Sequence, residues 1–256
     1  MNILKNLKSV YFGDGCLFTH LSIFSLLGIM TLALNNVLSS SLGNLMGGFL
    51  GFAPSNKYEL FLNFLIGLLI LIFFIGYSFN FANYCFKQNC RLPEINLDSM
   101  SVFVKMLPLF IIWGIYITFL CMLGGVLIPY TSPFFYIFYS VIICIIPFIY
   151  IIYVIFAQDF VYHSELFNPK FLFKVLDKTF GAVIFLTVQL CLLCILPVVV
   201  VNIFFYLAKS LHSPYWQLGV RLFGVCSGVY LFFIVKLLYL SRLSNIIRNK
   251  AKDVVF

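Results

Sequence analysis

Residues 87–106 read KQNCRLPEINLDSMSVFVKM, and the fold turns on whether this stretch is a chemical site or a hinge. It packs three cations (Lys87, Arg91, Lys105) and two carboxylates (Glu94, Asp98) into twenty residues of a 256-residue chain that is 63% apolar and only 9% charged. After Pro93, Asp98 or Ser99 is placed to cap a short helix running to Met106. Met100, Phe103, Val104 and Leu107 fall on one side at spacings of three and four, with Asp98, Ser101 and Lys105 on the other. That pattern predicts an amphipathic helix lying in a membrane interface. Pro108 then suits the first turn of the next helix, where its missing N–H costs nothing. The stretch reads as a hinge.

Outward from it lie long apolar runs. Two precede it, at about 18–38 and 60–81; four come after it, at about 107–128, 133–156, 182–207 and 222–240. Each reaches or approaches the roughly 20 residues that a spanning helix needs. A mean hydropathy of +1.09, with 32 Phe and 15 Tyr, lies far outside soluble domains, which are about 45–50% apolar. The predicted class is all-α: a polytopic integral membrane protein with six transmembrane helices in one domain over residues 1–256. No polar stretch is long enough to bury a core of its own.

The hinge pattern recurs. In NPKFLFKVLDKTFG (168–181), Asn168 caps and Pro169 opens a helix. Lys170, Lys174, Asp177 and Lys178 share one face of it; Leu172, Phe173, Leu176 and Phe180 line the other. NILKNLKSVYFG (2–13) sets Lys5 and Lys8 against Leu4, Leu7 and Tyr11. Short cytoplasmic interfacial helices are therefore expected at about 2–12, 98–106 and 169–180, each leading into two spans, as three helix-hairpin repeats. Lys5, Lys8, Lys105, Lys170, Lys174 and Lys178 would face the anionic lipid of the cytoplasmic leaflet.

Cation placement supports that orientation. Twelve Lys and Arg fall at the N-terminus, the second-to-third and fourth-to-fifth connections and the C-terminus; three (Lys57, Lys209, Arg221) fall on the other side. The positive-inside bias puts both termini in the cytoplasm of a cell membrane. Lys236 lies within the sixth run, a turn from its cytoplasmic end, where snorkelling explains it. The first run is too long for a signal-peptide core and no A-x-A site comes after it, so it reads as a retained span.

The eight cysteines are distributed like small hydrophobes. Cys191 and Cys194 lie in one apolar run, and Cys85 and Cys90 have no matching His or Cys pair beside them to suggest zinc. His20, His163 and His212 sit at three separate loops or span ends, so no cofactor or metal is expected. GVCSGV (224–229) lacks the spacing of a serine nucleophile; Ser227 and its glycines suit close helix packing instead. The glycine-bearing external stretch 39–59 lacks the Lys-Ser/Thr of a phosphate-cradling loop. The charge of +8 is spread along the cytoplasmic edges, which excludes nucleic acid as a partner.

Residues 75–110 resemble an uncharacterised family of bacterial and archaeal multi-pass membrane proteins, domain of unknown function 4013. The resemblance is carried by Gly76-Tyr77 at a span end, the basic residues after it, and Leu92-Pro93-Glu94 leading into an amphipathic stretch; the start leading to YFGDGCLF (11–18) also fits. It covers nearly the whole chain. The family has no established activity, so the resemblance implies architecture alone.

The expected role is non-enzymatic: an accessory or scaffold protein that packs with lipid, another membrane protein or itself, through small-residue faces such as Gly114, Gly124-Gly125, Gly224 and Gly228. The alternative is a channel or carrier for a small neutral solute through the fourth and fifth spans, along Pro147, Gln189, Pro197 and Asn202.

Overall fold

The computed structural model describes residues 16–41, 57–87, 92–127 and 133–251. The expected interfacial helix 2–12 with Lys5 and Lys8, most of the glycine-bearing stretch 39–59, and the turn after residue 127 lie outside the described residues. No strand occurs among those described, which form helices joined by short connections. The helices are α1 (Cys16–Ser41), α2 (Lys57–Phe86), α3 (Asp98–Leu127), α4 (Pro133–Phe156), α5 (Pro169–Leu193), α6 (Ile195–Lys209) and α7 (Pro214–Lys250), with a 3₁₀ turn at Ser164–Phe167. Among the described residues, four helical stretches are long and apolar enough to cross a membrane: Lys57–Phe86, Asp98–Gly125, Pro169–Lys209 and Pro214–Lys250.

Two of the expected interfacial helices are not separate pieces. Residues 98–106 are the first turns of α3, which runs unbroken to Leu127 with Pro108 inside it rather than in its first turn. Residues 169–180 likewise open α5. Asn168 caps α5 as expected, its side-chain oxygen accepting from the Lys170 N–H at 2.9 Å with Pro169 behind it. The break comes later. Proline at 197 cannot donate to the Leu193 carbonyl four residues back and its ring crowds that group, and α5 ends at Leu193.

In lipid, backbone and side-chain polar groups must be satisfied within the protein, and this chain does much of that locally. The hydroxyls of Thr31, Ser78, Thr179, Thr187 and Ser244 donate to the carbonyls four residues back, at 2.6–2.9 Å. Such bonds spare each hydroxyl a partner on another helix.

α7 is the hub, packing against α1, α2, α4, α5 and α6. α3 packs on α2 and α4. The buried core gathers where the C-terminal halves of α2, α4 and α7 meet the N-terminal halves of α3 and α5, called here the basic end. All buried residues of α2 except Gly67 lie between Phe73 and Cys85. One cluster joins Met106, Leu109 and Trp113 of α3 to Ile151–Ala157, Val175 and Leu243. A second joins Ile23 and Leu27 of α1 to Phe74, Tyr77, Phe233 and Leu237.

The faces turned inward differ from those expected. In the first turns of α3, Val102 and Met106 are buried while Val104 and Leu107 are exposed. In α5 the inward stripe is Phe171, Leu172, Val175, Thr179 and Val183; Phe173 and Phe180 are exposed beside the lysines. The cause is physical: α3 and α5 have enough apolar residues for a lipid face and a protein face at once, so polarity alone does not distinguish them.

Candidate functional site

The hinge at 87–106 becomes part of a set of ties at the basic end. Tyr77 is fully buried, and its hydroxyl donates to the Pro93 carbonyl at 2.9 Å. One residue earlier, Gly76 lies against the start of α3: a methyl group there would overlap the Ser99 carbonyl oxygen and stand 2.7 Å from its carbon. Only glycine permits that approach. Asn83 donates from its amide nitrogen to the carbonyls of Ala157 and Gln158, at 2.8 and 2.7 Å, and so satisfies groups left open at the end of α4. Trp113 Nε1 donates to the Leu166 carbonyl at 3.0 Å. Tyr162 donates to the Lys105 carbonyl, and Arg248 to that of Phe86 at 3.3 Å. These contacts fasten the connections between helices. Among the described residues, these ties join side chains to backbone carbonyls of neighbouring segments.

Lys105, Lys170, Lys174 and Lys178 are all exposed at this end. The Lys105 amine stands 6.0 Å from the Phe160 ring centroid, within reach of a cation–π contact. His163 Nε2 and Asp159 Oδ2, one turn apart in the loop after α4, are 3.6 Å apart. Among the described residues, no three His, Cys, Asp or Glu side chains gather closely enough to hold a metal ion.

The residues of the expected solute path are scattered. Pro147 lies in the body of α4. Gln189 lines a small cavity of about 30 Å³ between α5 and α7, with Leu186, Val235 and Arg242. Pro197 is buried in the first turn of α6. Asn202 is exposed, and its amide donates to the Val198 carbonyl of its own helix at 2.8 Å. Gly224 and Gly228 face α6 of the same chain: methyl groups there would overlap Phe204 and Val201. Gly114 has no neighbouring atom within 4 Å of such a methyl group.

A larger cavity of about 280 Å³ opens between α4, α5 and α7. Tyr150 of α4, Leu190 and Cys194 of α5, and Phe232, Val235, Lys236 and Tyr239 of α7 line it. The α7 residues fall at i, i+3, i+4 and i+7, one face of a helix. Sequence reasoning missed this cavity because its walls come from three distant segments. The available signal was Lys236, a lone charge in an apolar run, whose stem forms part of the cavity wall. In the structure, α7 continues fourteen residues beyond it to Lys250, and Lys236 lines the cavity. No family model matches the chain, and searches of curated proteins and of solved structures also found no match.

Proposed function

We propose that this chain is a non-enzymatic membrane protein that holds a partner protein, or a further copy of itself, against its uncovered helices. It would cross a cell membrane six times with both termini in the cytoplasm and the basic end on the anionic leaflet. The six spans would form three helix hairpins, of which α6–α7 is the one closed by Gly224 and Gly228. The observation that carries this reading is uneven coverage. In the most apolar window of α7, 33% of residues are buried by the chain itself; in α3 and in Pro169–Lys209 the share is 17%. Those helices keep broad apolar faces for lipid or for another protein, while the basic end is already filled.

Purification of the tagged protein from its native membrane in mild detergent tests this. A partner in fixed stoichiometry, or a defined homo-oligomer, is expected, and substitutions to larger side chains on the outward face of α3 (Ile111, Ile115, Phe119) should release it. A lone monomer under conditions that preserve known membrane complexes would overturn the reading.

A second reading, a channel or carrier for a small neutral solute, is favoured by one observation: the helix break at Cys194 lies beside the 280 Å³ cavity. Broken helices near the middle of a membrane are a recurring feature of transport sites. Substitution of Pro147, Pro197 or Gln189 should then change solute flux in liposomes at unchanged protein abundance. Unchanged flux in all three would remove this reading.

A further inference from the structure

We propose that Lys105 is a latch opened by anionic phospholipid: its amine leaves the Phe160 ring for a head-group phosphate, and the turn after α4 is freed. This deepens the placement of the basic end on the anionic leaflet and rests on that placement for its role in the cell.

The turn is strained and held by its surroundings. Phe160 has a φ of 59°, in the left-handed region where a bulky side chain is an outlier. Such a residue persists only where neighbouring structure fixes it. Its N–H donates to the Phe156 carbonyl at 2.9 Å, and the Val161 N–H donates to Asp159 Oδ1 at 3.0 Å. Asn83 of α2 holds the carbonyls of Ala157 and Gln158. Lys105 of α3 holds the turn twice. Its carbonyl accepts from Tyr162, and its amine stands 6.0 Å from the Phe160 ring centroid.

Of these holds, the amine is the one that lipid can take away. Lys105 is exposed, and among the described residues no carboxylate lies within 4 Å of its amine. A ring face offers no lone pair to the three N–H donors of an ammonium. A phosphate oxygen does, through a charge-assisted bond stronger than an exposed cation–π contact. Lys105 stands two residues before the apolar run that begins at 107, which is head-group depth. Anionic lipid presents phosphate there without the choline cation that neutralises it in phosphatidylcholine. The flexible four-carbon stem of lysine lets the amine swing from ring to phosphate while its backbone stays in α3.

Hydrogen exchange of the full chain in nanodiscs tests this, with phosphatidylcholine compared against phosphatidylglycerol. In phosphatidylglycerol the peptide covering 157–163 should exchange about two- to fivefold faster, the factor released by losing an exposed cation–π contact. The turn at 210–213, at the opposite end, should keep its rate. Lys105→Met should exchange fast in both lipids; Lys105→Arg and Lys174→Met should keep the lipid dependence. Equal or slower exchange in phosphatidylglycerol overturns the proposal without requiring any variant to fold. So does a rise shared by 210–213, a lipid dependence that survives in Lys105→Met, or an equal response to free inorganic phosphate over phosphatidylcholine. The discs carry the same lipid on both faces and no partner protein, so neither orientation nor partnership enters the result. Failure of the partner-holding reading shows separately, as a lone monomer on purification.

Discussion

The basic end and the opposite end of this bundle are built from the same helices by different rules. At the basic end, bulky side chains interlock, a glycine admits a neighbouring backbone, and Tyr77, Asn83 and Trp113 reach across to carbonyls of other segments. Toward the opposite end, Phe61, Leu62 and Phe64 of α2 and Ile115, Phe119 and Met122 of α3 are exposed. Contact between helices there includes the glycines of α7, Gly124 of α3 against the Phe138 ring, and Phe223 of α7 against Phe24 and Phe204. The difference teaches where a membrane chain must supply its own cohesion. Without a hydrophobic drive between helices in lipid, cohesion comes from close packing and hydrogen bonds, and this chain concentrates both at one end.

Substitutions sharpen that contrast, and the largest effect is expected at Gly76. Gly76→Ala would push α2 from the backbone of α3, and a loss of about 3 kcal/mol or more is expected, since backbone cannot yield as a side chain can. Thermal unfolding in detergent would show it; an unchanged midpoint would mean the two helices are not in contact there. Asn83→Ala leaves two carbonyls unmet at the end of α4 and should cost about 2 kcal/mol, read as earlier proteolysis in the loop 157–163. Tyr77→Phe removes one buried bond to Pro93 and should cost about 1 kcal/mol by the same thermal measurement. Gly114→Ala, on the sparsely packed side, should leave stability unchanged or raise it by up to about 1 kcal/mol through helix propensity. A Gly114 variant as damaging as the Gly76 one would erase the distinction between the ends.

Much of the helical layout was legible because apolar length is a direct physical requirement of crossing lipid. The run 133–156 coincides with α4, and Asn168-Pro169 marks the start of α5 to the residue. Tyr77 and Pro93, both near the hinge, tie α2 to the linker before α3. The inward faces were not legible, for Val102 and Val104 are chemically the same residue and only the neighbours decide which is buried. Nor was the continuity of 98–106 with α3, because a proline in the first turn of an expected span looks like a beginning. The cavity escaped notice because it joins residues 150, 190 and 236, which no local pattern relates.

The central place of α7 has a consequence for synthesis. It comes after the other described helices along the chain, and α1, α2, α4, α5 and α6 all pack on it. Earlier helices can pack on one another as they enter, α1 on α2 and α3 on α2 and α4, but the surface that each of α1, α2, α4, α5 and α6 turns to α7 stays open until α7 arrives. Until then, Ile23, Leu27, Phe74 and Tyr77, which meet Phe233 and Leu237 of α7, lack part of their cover, and a cell's quality-control proteases would read an interrupted chain as unfinished.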